Sequence, residues 1–209
     1  MPINASQLCE RSCKLECKRG GIVTISSQTV DALISARRIL VLGPCGSGKT
    51  WLTRQLSRIL DLPAVHLDAH FWHPGWISTP QPEWRTVVSS LIEQGSWIMD
   101  GTYESTLDLR IPAADAIIMV NRPRWSCFWG VVRRSLVYRI KPRPDAPSSQ
   151  PIDLAYLRYI WRYPVQTDTL VHELIEKHGP KTPVIRLDKR KSIGSFIEYL
   201  QARTGGLVL

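Results

Sequence analysis

Eight consecutive residues, Gly43-Pro44-Cys45-Gly46-Ser47-Gly48-Lys49-Thr50, restrict the fold of this chain more than any other feature. They match G-x-x-x-x-G-K-[ST], a pattern with physical meaning only where a strand ends and a helix begins. That context is present. Ile39 to Leu42 is a short apolar run leading into the glycines, and Thr50 to Leu60 carries Leu52, Leu56, Ile59 and Leu60 at helical spacing. The glycines let main-chain N–H groups wrap a phosphate chain, and a helix starting near Lys49 adds the positive end of its dipole. Lys49 is expected to bring a mobile charge to the β and γ phosphates, and Thr50 Oγ to ligate Mg²⁺. Gly43 through Thr50, including Pro44, Cys45, Gly46, Ser47 and Gly48, is therefore the expected ATP cradle. It leaves open whether the phosphoryl group goes to water, a hydroxyl or another phosphate.

The rest of the chain repeats the alternation of short apolar strand and helix. Ala64 to Leu67 reads as a strand ending at Asp68, and a helix follows from about Pro82 to Gln94. Trp97 to Met99 reads as a strand ending at Asp100-Gly101, and Ala116 to Val120 as one ending at Asn121-Arg122. A helix from about Arg124 to Arg139 precedes the proline-rich Lys141 to Pro151, helices run on to about His178, and Pro183 to Leu187 is a last strand before a helix from Ser192 to Ala202. Apolar strands alternating with helices predict a parallel sheet covered on both faces. The expected fold is α/β, a P-loop NTPase with a doubly wound five-stranded parallel sheet and a helical, arginine-rich lid. Ligands in such folds gather at the carboxyl ends of strands, which here carry Gly43, Asp68, Asp100 and Arg122.

At those ends, Asp100 is expected to face the magnesium held by Thr50, directly or through water. Asp68 lies across the same crevice. There it would either orient an acceptor hydroxyl and take its proton, or bind the metal. The neighbouring Phe71, Trp72 and Trp76 would stack on a planar acceptor or pack as core. From Asn121 to Arg143 the basic residues Arg122, Arg124, Arg133, Arg134, Arg139, Lys141 and Arg143 stand without an acidic one. Guanidinium groups that swing onto the transferring phosphoryl raise phosphotransfer rates by powers of ten, which makes Arg133 and Arg134 catalytic candidates and Arg124 a nucleotide contact. His66, His70 and His73 imitate a metal site in spacing, but no further convincing ligand accompanies them.

Composition supports a globular chain of 209 residues, 44% hydrophobic and 22% charged, with no apolar run near the eighteen or so residues of a bilayer span. Its N-terminus lacks the apolar stretch of a secretory signal, so a cytoplasmic protein with no membrane partner is the expectation. The net charge of +9 favours anionic partners, nucleic acid among them. Five cysteines, one of them inside the phosphate loop, read as reduced thiols. Cys9, Cys13 and Cys17 recur every four residues, which on a helix would align three thiols on one face, each offset by about 40° from the last. Residues 1–36 differ enough in composition to read as an N-terminal extension, with the main domain spanning 37–209 and its lid at about 122–151.

Taken together, GPCGSGKT, HLDAHFWHPGW, WIMDGTYESTLDLR, NRPRW with the following RRSLVYR, and KPRPD resemble the adenylate-kinase-related P-loop proteins often labelled topology modulation proteins, over about Arg37 to Leu200. The resemblance implies a nucleoside- or nucleotide-kinase-like fold that uses ATP and magnesium, with Lys49 and Thr50 in the phosphate loop and Asp100 at the metal. It implies no settled acceptor. Where true nucleoside monophosphate kinases continue Asp-Gly-Phe-Pro-Arg, this chain has Asp100-Gly101-Thr102-Tyr103, so the arginine that grips an acceptor phosphate is missing there. Arg110 is the expected replacement, with Asp68 and Trp72 completing the acceptor side. The leading reading is an ATP-dependent phosphotransferase acting on a small molecule. The alternative is an ATP-binding regulator of nucleic acid, although no helix-turn-helix, zinc-finger or aromatic-basic RNA signature is present.

Overall fold

The computed structural model describes residues 13–15, 23–25, 27–138 and 154–205. An antiparallel pair, β1 (Cys13–Leu15) and β2 (Val23–Ile25), precedes α1 (Ser27–Ser35). Then follow β3 (Arg38–Leu42), α2 (Lys49–Leu60), β4 (Ala64–His66), the short α3 (Leu67–Phe71), the two-residue strands β5 (Trp72–His73) and β6 (Ile77–Ser78), and α4 (Gln81–Ile92). The chain continues through β7 (Trp97–Asp100), a 3₁₀ turn at Glu104–Thr106, α5 (Leu107–Ala113), β8 (Ala116–Val120), α6 (Arg124–Tyr138), α7 (Leu154–His178), β9 (Val184–Leu187) and α8 (Arg190–Arg203). The arginines and prolines expected in the lid beyond Tyr138, from Arg139 through Lys141 and Arg143 to Pro151, lie outside the described residues.

Five strands form one parallel sheet in the order β4-β7-β3-β8-β9. This is the doubly wound arrangement expected. Alternation along β3 shows why both faces are covered. Ile39 and Val41 join one core with Val30 and Leu33 of α1, Leu52 and Leu56 of α2 and Phe196 and Leu200 of α8. Leu40 and Leu42 join the other with Trp84 and Val88 of α4, Leu107 and Ile111 of α5 and Val171 and Ile175 of α7. Side chains two apart share a face of the sheet, so four consecutive apolar residues feed two cores at once. The chain first moves from β3 to the edge strand β4 and back inward to β7 on one side, then crosses to β8 and β9 on the other. The crevice opens at the carboxyl end of β3, between those two directions, where the phosphate loop sits.

Three local features differ from the sequence reading. Ser27–Ser35 is a helix whose Val30 and Leu33 are buried in the core, so part of the segment read as an extension belongs to the packed body. Cys13 stands in a strand paired with β2 rather than on a helical face, because antiparallel pairing supplies the backbone partners that a helix would have used. β4 stops at His66, and fully buried Leu67 turns the chain into α3, placing Asp68 in a first helical turn instead of at a strand end.

The start of the sheet is pinned by Asp115. Its Oδ2 accepts the Arg37 and Arg38 main-chain N–H groups at 3.0 and 2.9 Å, and its Oδ1 accepts Arg38 Nη2 at 3.2 Å. Partial burial opposes ionisation, but these donors outweigh it and hold the carboxyl below its usual range. A depressed folded-state pKa contributes stability above the ordinary carboxylate range and loses it as pH falls through the folded value. Asp115→Ala is expected to cost about 1 kcal/mol near neutrality. In denaturant titrations that difference should fade on acidification; one that is constant down to pH 2 would contradict this account.

Candidate active site

The phosphate loop is shaped by close backbone approaches. Gly43 has φ +140°, and a Cβ there would lie 2.3 Å from the Val120 carbonyl oxygen. Gly46 has φ +77°, and a Cβ there would lie 2.2 Å from the Cys127 carbonyl oxygen, while one on Gly130 would lie 2.3 Å from the Gly46 oxygen. Two glycines thus meet where α6 lies across the loop, an approach that no side chain permits. α2 begins after Gly48 in the left-handed region without a side-chain cap, so its first N–H groups keep the donor capacity that a phosphate takes up. Lys49 Nζ donates to the carbonyl oxygens of Gly43 at 2.6 Å and Pro44 at 2.8 Å, folding over the loop it serves.

Thr102, just past β7, ties this loop to α7. Its Oγ1 donates to the Gly43 oxygen at 3.0 Å, receives the Gly43 N–H at 3.3 Å and lies 2.9 Å from Tyr163 Oη. Gly43, Cys45, Gly46, Gly48, Lys49 and Thr50 line a cleft of about 960 Å³. Pro44 and Ser47 are buried and do not line the cleft, Ser47 with its Oγ unpartnered among the described residues. Cys45 and Cys127 are free thiols, and burial pushes Cys127 up to about 11, which leaves it protonated and inert at neutral pH.

Parallel register places His66 directly opposite Asp100. Their side chains meet at 2.9 Å, His66 Nδ1 to Asp100 Oδ1. Asp100 is 5% exposed, and its Oδ2 has no hydrogen-bond partner among the described residues. A buried carboxylate oxygen left over in a cleft that Thr50 also lines is a donor set that suits a hard cation. No group of three or more His, Cys, Asp or Glu side chains able to hold a metal occurs among the described residues.

Asp68 also lines the cleft and accepts a hydrogen bond from Tyr103 Oη at 2.7 Å. Burial and the adjacent carboxylate raise the Tyr103 pKa, keeping the phenol a donor. Tyr103 itself has φ +36°, an uncommon left-handed conformation for a residue with a side chain. Arg110 explains how it is held. This fully buried side chain donates from Nη1 to the Gly101 oxygen at 2.9 Å, from Nη2 to the Thr102 oxygen and to the Tyr103 oxygen at 2.9 Å, and from Nε to Thr106 Oγ1 at 3.2 Å. Burial draws its pKa down to about 10, still charged at neutral pH. Arg110 was expected on the acceptor side; the structure places it beneath the 101–103 turn. Its donors are consumed by the 101–103 turn, and it does not line the cleft.

Arg124, expected as a nucleotide contact, lies apart from the cleft. Its guanidinium lies 5.5 Å from the centre of the Trp161 ring, in a separate surface depression with Arg162 and Gln166. Arg124 is not among the residues that line the cleft. Arg133 and Arg134, about two and a half turns further along α6, do line the cleft, and Arg134 Nη2 donates to Tyr156 Oη at 2.9 Å. Trp72 and Trp76 line it as well, their rings 5.2 Å apart on the β5–β6 hairpin, whose turn carries Gly75 at φ +81°. Phe71 instead packs on Trp84 and Tyr103, with centroids at 5.0 and 4.8 Å, which divides the aromatic run between core and site.

Sequence reasoning missed Arg54, Tyr103, Glu104, Tyr156 and Tyr159, all of which line the cleft. Arg54 was within reach, since it stands four residues after Thr50 and shares its helix face. Tyr156 and Tyr159 come from α7, and nothing local in the sequence announces that this helix returns to the phosphate loop. Among the described residues no helix is long and apolar enough to cross a membrane.

No protein-family model matches the chain. Among solved structures it is similar to shikimate kinase from Acinetobacter baumannii in complex with shikimate, at 17% identity over 86% of this chain and 99% of that one, with a TM-score of 0.48. It is similar to deoxyadenosine kinase from M. mycoides with the products dCMP and a flexible dCDP bound, at 11% identity over 81% and 99% of the two chains and a TM-score of 0.46. A sugar kinase from Janibacter sp. HTCC2649 gives 17% identity, 79% and 92% coverage and a TM-score of 0.46.

Proposed function

We propose that the protein is an ATP-dependent phosphotransferase that moves the γ-phosphoryl group to a small-molecule hydroxyl. One observation carries the reading. The glycine loop, Lys49, Thr50, Asp100 at the end of β7, Asp68 on α3 and two arginines of α6 converge on a single cleft, although they come from residues as far apart as 43 and 134. Chance would not gather an anion cradle, a spare buried carboxylate oxygen and a second carboxylate at one sheet switch point.

In this reading Lys49 leaves the Gly43 and Pro44 oxygens for the phosphates, and the α2 N-terminus holds them from below. Thr50 Oγ and Asp100 would hold magnesium, with His66 fixing the orientation of Asp100. The metal, when bound, neutralises phosphate charge. Asp68, oriented by Tyr103, positions the acceptor hydroxyl and receives its proton. Arg133 and Arg134 meet the charge that spreads over the equatorial oxygens, Arg134 after exchanging its Tyr156 contact. The motif resemblance to topology modulation proteins of the adenylate-kinase-related type supports the same reading.

The test is transfer of label from γ-labelled ATP to a panel of nucleosides, nucleotides and sugars, with Asp68→Asn alongside. The variant is expected to lose at least about a hundredfold in transfer rate with ATP affinity changed less than about threefold, because its carboxylate serves the acceptor. Equal loss of ATP affinity would move Asp68 to the nucleotide side.

A further inference from the structure

Lys49 has to leave the Gly43 and Pro44 carbonyl oxygens to reach a triphosphate, and the partners those oxygens keep decide how freely it goes. The Pro44 oxygen has a second donor in the loop's own backbone, the Ser47 N–H at 3.3 Å. The Gly43 oxygen has a second donor too, but it is a side chain. Thr102 Oγ1 donates to it at 3.0 Å, beside Lys49 Nζ at 2.6 Å. Gly43 has little room to turn toward another partner, since a Cβ there would lie 2.3 Å from the Val120 oxygen and its own N–H is held by Thr102 at 3.3 Å.

Thr102 is itself firmly placed. It is buried, Arg110 Nη2 donates to its main-chain oxygen, and its hydroxyl has three partners. A hydroxyl has one proton to give and two lone pairs to fill. The Gly43 oxygen can only accept and the Gly43 N–H only donate, so the remaining lone pair receives the Tyr163 phenol, 2.9 Å away. Tyr163 is buried, and burial raises its pKa, so the phenol keeps the proton it donates. The Tyr163 bond thus leaves the single Thr102 proton aimed at Gly43.

Water can stand in for Lys49 while the cleft is open, but a triphosphate seated on the loop excludes it. A carbonyl oxygen left there without a donor would be costly and would hold the ammonium back. Resting on the phosphotransferase reading above, we infer that Thr102 and Tyr163 are positioning residues for Lys49: by keeping the Gly43 oxygen partnered, they release the ammonium to the phosphates. Both act through that oxygen and Lys49.

Titration of the full-length protein with a fluorescent ATP analogue and magnesium reads the effect without an acceptor. Thr102→Val is expected to weaken binding about tenfold, and Thr102→Ser, which keeps the hydroxyl, less than about threefold. The same Thr102→Val exchange in a Lys49→Ala background is expected to cost less than about threefold, because no ammonium is left to retain. A residue that merely shapes the loop would cost the same in both backgrounds, and that result overturns the inference. So does unchanged binding in Thr102→Val, or a serine variant as weak as the valine one. Should Thr102→Val not fold, Tyr163→Phe reads the same line of hydrogen bonds. It is expected to weaken binding about threefold with Lys49 present and to change nothing in Lys49→Ala; binding equal to wild type with Lys49 present overturns the inference. Wild-type protein that takes up no ATP analogue sinks the phosphotransferase reading itself, whereas wild-type binding without coupling between Thr102 and Lys49 removes only the positioning role.

Discussion

Lys49→Ala is expected to slow γ-phosphoryl transfer by at least about a hundredfold while the fold survives. Lys49 Nζ rests on the Gly43 and Pro44 oxygens at 2.6 and 2.8 Å, both only partly buried, so water replaces it there at small cost. Among the described residues Lys49 is the one ammonium lining the cleft. Charge spreading over the transferring phosphoryl needs a compact, mobile cation at the loop, and the guanidinium groups of Arg133 and Arg134 approach from α6 instead. Lys49→Arg is expected to recover little, because a planar fork does not fit where a point charge sits between two carbonyls. Single-turnover transfer together with ATP calorimetry reads both variants. Unchanged turnover in Lys49→Ala would mean that the loop does not act on a triphosphate.

Arg110→Met is expected to destabilise the protein by about 3 kcal/mol or more, although methionine fills a similar space and removes a buried charge. The loss comes from three main-chain oxygens, those of Gly101, Thr102 and Tyr103, which would stay turned inward without their shared donor. That turn contains Gly101 at φ +127° and Tyr103 at φ +36°, conformations that persist only while their surroundings enforce them. Chemical denaturation should show a lower midpoint with an unchanged slope. The turn also carries the Tyr103 hydroxyl to Asp68 and Thr102 to Gly43, so residual folded protein should show weakened transfer. Wild-type stability in this variant would contradict the structural role assigned here and reopen a part for Arg110 at the acceptor.

Much of this molecule is legible along the chain wherever local chemistry and tertiary placement coincide. The run Ile39 to Leu42, the glycines after it and the leucines of α2 report strand, turn and helix by periodicity alone. Asp100 is legible for a related reason: a carboxylate closing an apolar parallel strand has few places to be other than the ligand crevice. Arg110 and Arg124 show the limit. Both are arginines at plausible distances from a phosphate site, and sequence cannot say whether a guanidinium will face a ligand, three carbonyls or an indole. That choice depends on which elements pack around it. For Arg110 the competition was settled by orphan oxygens in a strained turn, and for Arg124 by Trp161, thirty-seven residues away.

By itself, then, the order of residues determined the α/β alternation, the five-stranded parallel sheet and the glycine turn between β3 and α2, because each rests on short-range periodicity and on glycines that backbone geometry demands. Tertiary structure alone decided that α6 crosses the loop through Gly46 and Gly130 and that α7 returns to it through Tyr163 and Thr102. Those features join residues tens of positions apart, and such pairings arise only when packing of two cores against one sheet brings distant helices over the same strand ends.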